Sequence, residues 1–106
     1  MTIQYREGFA AALDEAVLWY TKQLEYGPEV AEALAEKFAG AVDSTVARIA
    51  AQPDAGAVWR YRRGYRFRVV EKPFHRWLLF YRRPAEDCVE LVDIVRGERD
   101  LTRKPA

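Results

Sequence analysis

Apolar residues along this chain recur with two different periods. Across Thr2–Arg6, Ile3 and Tyr5 alternate with polar neighbours, the spacing of a strand with one buried face. Gly8 is expected to close that stretch. From Phe9 the spacing lengthens, and Phe9, Leu13, Ala16, Val17, Tyr20 and Leu24 fall on one stripe of a helix. The triplet Tyr26-Gly27-Pro28 stops this helix and opens another, since glycine suits a helix end and proline a first turn. The second helix is expected over residues 29–51. Its stripe is Val30, Ala33, Leu34, Phe38, Ala41, Val42, Thr45, Val46 and Ile49, and Glu29 and Glu32 sit near its positive N-terminal end. So short a turn predicts an antiparallel helical hairpin. Neither helix is apolar all round, so each stripe needs a cover.

The period returns to two in the second half. Gln52–Ala57 holds Pro53, Asp54 and Gly56 and reads as a loop. In Trp59–Arg63 and Tyr65–Val69, aromatic and apolar positions alternate with Arg60, Arg62, Arg66 and Arg68, which predicts two strands meeting near Gly64. Trp77–Arg82 is apolar on both faces and belongs in the middle of a sheet. Pro84-Ala85-Glu86-Asp87 is expected to turn, Cys88–Val95 to form the last strand, Arg96–Leu101 to leave the sheet and Thr102–Ala106 to be a loose tail. The order β-α-α-β-β-β-β predicts one α+β domain over residues 1–106. Its helical hairpin packs on a mainly antiparallel sheet of four to five strands in two layers. The helices are expected to cover Trp59, Tyr61, Tyr65, Phe67 and Val69, which turns all four arginines to the open side.

Composition narrows the class. A chain of 106 residues can bury a core without staples. The one cysteine, Cys88, forms no internal disulfide, and the N-terminus lacks a signal-type apolar run, so a cytoplasmic setting is expected. No stretch has the length of a membrane helix. With one cysteine and one histidine, no metal site and no cofactor are expected. The net charge of +1 conceals a division. Residues 1–55 carry four basic and nine acidic side chains, whereas residues 56–106 carry thirteen basic and seven acidic. That division suits two surfaces with different partners, or attraction between the halves.

Several side chains have a chemical and a structural reading. The four arginines of the paired strands bind phosphates or an acidic protein segment, or else keep a sheet face solvated. His75 alone titrates near neutrality, so it is either a proton donor or a turn residue bonded to backbone and water. Cys88 reads as a buried thiol. Trp19 flanks the helix stripe, at the core edge or against a partner. Arg99-Asp100 reads as a local ion pair or part of a contact surface.

The order of elements, with Trp19-Tyr20, Ile49-Ala50-Ala51-Gln52-Pro53, Gly64-Tyr65-Arg66, Lys72-Pro73-Phe74, Leu79-Phe80-Tyr81 and Val95-Arg96-Gly97-Glu98-Arg99-Asp100, resembles the RelE/ParE superfamily of bacterial type II toxins. The resemblance covers nearly the whole chain. It implies a small growth-inhibiting toxin of the kind tied to plasmid stabilisation. Such a toxin is neutralised by a cognate antitoxin, whose own DNA-binding part reaches operator DNA.

The superfamily divides by mechanism: RelE-like members cut messenger RNA on the ribosome, and ParE-like members inhibit DNA gyrase. Cleavage through a 2′-hydroxyl needs an acid, a base and cations. On the nuclease reading, Arg76, His75, Arg96 and Arg99 supply these groups. Leu78, however, stands where the resemblance implies a basic residue. Arg96 stands where many relatives have histidine, and an arginine is a poor proton shuttle. The Arg99-Asp100-Leu101 ending is common in the gyrase branch. The resemblance therefore implies a ParE-like gyrase inhibitor, with the RelE-like nuclease and a non-toxic orphan that only binds its antitoxin as alternatives. Arg60, Arg62, Arg66, Arg68, Arg82, Arg96 and Arg99 are the expected antitoxin- or anion-binding set.

Overall fold

The computed structural model describes residues 1–22 and 27–97. In chain order these form β1 (Thr2–Tyr5), α1 (Glu7–Thr21), α2 (Pro28–Ala51), β2 (Ala57–Val58), β3 (Tyr65–Val69), β4 (Trp77–Ala85) and β5 (Cys88–Arg96). The strands make one sheet in the order β1-β5-β4-β3-β2. Only β1 and β5 run parallel, as the intervening helical crossover allows. The α+β two-layer architecture is therefore the expected one. No described helix is long and apolar enough to cross a membrane.

The doubly apolar run lies where its pattern requires. β4 is flanked by β3 and β5, and Trp77, Leu78, Leu79, Phe80 and Tyr81 are all buried. Trp77, Leu79 and Tyr81 join Val70, Phe74, Val89, Leu91 and Ile94 under Phe9, Ala16, Phe38, Val42 and Ile49 of the helices. Each large side chain fully buried here contributes about 1.5–3 kcal/mol. Two polar groups pin the layers together. Thr45 Oγ1 donates to the Ala41 carbonyl at 2.8 Å and accepts from Glu71 N at 3.3 Å. Trp77 Nε1 donates to the Tyr20 hydroxyl at 2.8 Å.

Leu78 and Phe80 point the other way, into a smaller cluster with Trp59, Tyr65 and Val92, edged by Phe67 and Val95. That corrects the expected cover. Cross-strand partners share a face, and β3 pairs Phe67 with Phe80 and Arg68 with Leu79. The aromatic positions of β3 therefore lie on the helix-free face, and Arg66 and Arg68 lie on the helix side. Four arginines do not line one open surface.

Other boundaries move for local reasons. Helix α1 begins at Glu7, so Gly8 lies in its first turn instead of closing the strand. Trp59–Arg63 is not a strand. Trp59 buries its ring against Phe80, with centroids 5.3 Å apart, and the chain turns through Arg62 N to Trp59 O and Tyr65 N to Arg62 O bonds. Gly64, at φ 83°, supplies the left-handed residue that this turn needs. Strand β4 continues through Pro84-Ala85, leaving Glu86-Asp87 as the turn. In α2, Val30 and Ala33 are exposed, and Ala31 and Ala35 are buried in their place. Gly27, at φ 79°, precedes Pro28 at the start of α2 as expected. Leu24, Glu25, Tyr26, Arg99-Asp100 and the expected tail lie outside the described residues.

Candidate functional site

On the helix-free face, register brings together groups that are distant in sequence. Tyr65 pairs with Arg82, and Arg82 with Glu90, across β3, β4 and β5. Arg6 follows β1 at the next position across the sheet. Its Nη2 donates to the Tyr65 hydroxyl at 3.1 Å and to Glu90 Oε1 at 2.9 Å. Arg82 Nε donates to the same carboxylate oxygen at 2.5 Å. Arg62, on the 59–64 turn, lays its guanidinium 4.4 Å from the centre of the Tyr65 ring. Two guanidinium groups thus grip one carboxylate, and a third covers the ring of the neighbouring tyrosine.

The electrostatics of this cluster are one-sided. The hydrogen bond from Arg82, then that from Arg6, holds the Glu90 carboxyl below its ordinary range, against the opposing effect of burial. The side chains of Arg6 and Arg82 keep 33% and 41% of their exposure, so part of this positive charge faces solvent. Tyr61 and Val69 are exposed, and Arg60 stacks on Tyr61.

The remaining expected arginines lie elsewhere. Arg66 Nη1 donates to the Asp54 and Gly56 carbonyls at 3.1 and 2.9 Å, tying β3 to the loop after α2. Arg68 lines a pocket at the end of α2. Arg96 is on the helix side at the opposite end of β5, its guanidinium 4.2 Å from the Trp19 ring centre and 5.8 Å from that of Trp77. Trp19, itself 39% exposed, packs edge-on against Tyr20 and Trp77, so it serves the core edge.

Of the nuclease reading, His75, Arg76 and Arg96 gather at one end, and Arg99 lies outside the described residues. His75 and Arg76 are exposed in the turn before β4, and Trp77 pairs with Arg96. From Trp77 to Arg82 is five residues of strand, roughly 16 Å, so this group is well separated from Tyr65 and Glu90. Cys88 is buried at the start of β5. Among the described residues no group of three or more His, Cys, Asp or Glu side chains could hold a metal ion.

Sequence pattern missed Arg6 and Glu90. Each occupies a polar position at or beside an alternating strand, so alternation marks them as solvent-facing at most. Only the parallel register of β1 against β5 makes them neighbours.

A sequence model described as the ParE toxin of the type II toxin–antitoxin system parDE matches residues 3–101. The chain belongs to the ParE toxin family. Among solved structures, a chain described as the chromosomal ParDE TA system from P. aeruginosa superposes with a TM-score of 0.70. It is 20% identical, and the match covers 92% of this chain and 97% of that one. At that identity the likeness speaks for the fold. No curated protein matches significantly. In this ParE-family toxin, then, guanidinium groups occupy both sides of the sheet, and Glu90 is held between Arg6 and Arg82 on the side without helices.

Proposed function

We propose that this ParE-family toxin arrests growth by binding DNA gyrase, performs no chemistry of its own, and is neutralised by a cognate antitoxin. The helix-free face around Tyr65 is the surface that meets the target. The observation that carries this reading is the state of its titratable groups. Arginines stay charged near neutrality, and Glu90 is held ionised between Arg82 and Arg6. The cluster holds an anion well and passes protons poorly.

The nuclease alternative is weakened at the other end of β4. Arg96 is stacked on Trp19, and Leu78 is buried where the nuclease branch resembled above carries a basic residue. The P. aeruginosa neighbour is a ParDE system, which supports an antitoxin partner here. Operator DNA is reached only through that antitoxin, and the complex acts in the cytoplasm.

Two assays after induced expression test the proposal: supercoiling by purified gyrase, and primer extension on translated messages. Loss of supercoiling with intact messages is expected. Normal supercoiling with codon-phased cuts would establish the ribosome-dependent nuclease. Normal growth with antitoxin binding intact would leave only the orphan role.

A further inference from the structure

A second basic site lies on the helix side, 66–71 in β3 and its continuation meeting the end of α2. A pocket of about 410 Å³ opens there, lined by Arg48, Ala51, Gln52 and Arg68. Arg68 Nη1 is buried and has no hydrogen-bond acceptor among the described residues. A buried charged donor without an acceptor forfeits its hydration with no return, so Arg68 carries an unmet demand for an acceptor at the pocket wall. Arg48, across the pocket, spends one terminal nitrogen on Glu71 at 2.7 Å and has further donors on its planar fork. Its side chain is 62% exposed, so the mouth of the pocket is open.

We propose that this pocket is a carboxylate-binding site that takes one acidic side chain of an extended polypeptide. On the reading above, that polypeptide is a segment of the antitoxin. Two guanidinium groups and the Gln52 amide match the donor needs of a single carboxylate. A nucleic-acid backbone fits less well. Glu71 and Asp54, the latter paired with Arg83 at 3.1 Å, put carboxylates beside the pocket, and the negative end of α2 adds to them. A nucleic acid carries a charge at every residue and meets these carboxylates, whereas a polypeptide can seat one carboxylate between the arginines with uncharged residues on either side.

The test uses the full chain and an N-acetylated, C-amidated Gly-Ser-Glu-Ser-Gly peptide at low salt, followed through the arginine Nε–Hε resonances by ¹⁵N NMR and by calorimetry. Saturable shifts at Arg48 and Arg68 are expected. Arg68→Gln and Arg48→Gln should each weaken the peptide about tenfold, the loss expected for a charge-assisted bond, with an unchanged thermal midpoint. Should Arg68→Gln fold poorly, Arg48→Gln carries the test, because that side chain is mostly in solvent. Affinity unchanged in the folded variants, or tighter binding of a ten-nucleotide oligothymidylate at the same resonances, would overturn the proposal. The assay requires neither gyrase nor antitoxin, so its failure is distinct from failure of the toxin reading.

Discussion

The guanidinium of Arg96 lies over the ring of Trp19, 4.2 Å from its centre. This contact fastens the last residue of β5 to α1 and accounts for an arginine at a position open to a proton-transfer reading. In a double-mutant cycle with Trp19→Leu and Arg96→Ala, chemical denaturation should report a coupling of about 0.5–1 kcal/mol. Zero coupling would mean that the stack adds nothing.

The Tyr81 hydroxyl donates to the Pro53 carbonyl at 2.7 Å and accepts from Gly56 N–H at 3.2 Å. A Cβ on Gly56 would overlap that hydroxyl. Gly56→Ala should therefore cost about 1–3 kcal/mol through overpacking. Tyr81→Phe should cost roughly 1–3 kcal/mol through unpaired backbone groups. The double variant should lose less than the sum, because the clash partly disappears with the oxygen. Urea midpoints of the three proteins decide this.

Burial raises the Tyr81 phenol above its ordinary value, opposed by the Gly56 N–H bond and by Arg66 and Arg68. Ultraviolet titration should find a tyrosine ionising above the ordinary phenol value, and Tyr81→Phe should remove it. A titration curve unchanged by Tyr81→Phe would contradict this environment.

Glu90 is held below its ordinary value of 4.5, chiefly by Arg82. Its ionised form is favoured by folding, so its contribution is complete above that value and fades as pH falls through the lowered one. Glu90→Gln should lose about 1 kcal/mol at pH 7. The gap to wild type should narrow on acidification below about 4.5. A gap that widens in acid would contradict the Arg82–Glu90–Arg6 arrangement.

Arg60 and Arg66 look equivalent in sequence and are not in the fold. Arg60 is exposed beside Tyr61, whereas Arg66 holds two loop carbonyls. Arg60→Glu should change stability by no more than about 0.5 kcal/mol. Arg66→Glu should cost roughly 1–3 kcal/mol, since it removes the donor and brings a carboxylate to the same carbonyls. Equal thermal shifts would restore the common open face.

Much of this architecture is legible in the pattern of apolar residues. The run Trp77–Tyr81 announces a central strand because both its parities are apolar. The 3.6-residue stripes announce the helices, and Gly27-Pro28 their junction. Which face the helices choose is not legible, because alternation groups Tyr65 with Phe67 without saying what covers them. The pairing of Phe67 with Phe80 decides it. Trp59–Arg63 misleads for a related reason: alternation describes a strand, but burial of one large ring at Trp59 bends the chain into a turn. The Arg6–Glu90 pair spans nearly the whole sequence, and only a parallel β1–β5 register creates it.

Inhibition of supercoiling by purified gyrase, titrated with two folded double variants, tests most directly whether the helix-free face does the work. Arg62→Ala/Arg82→Ala removes two of the three guanidinium groups around Tyr65 and Glu90, and His75→Ala/Arg76→Ala removes the exposed groups at the other end of β4. The expected result is a loss of at least about tenfold for the first pair and less than about twofold for the second. Undiminished inhibition by the first pair, with collapse in the second, would contradict the account.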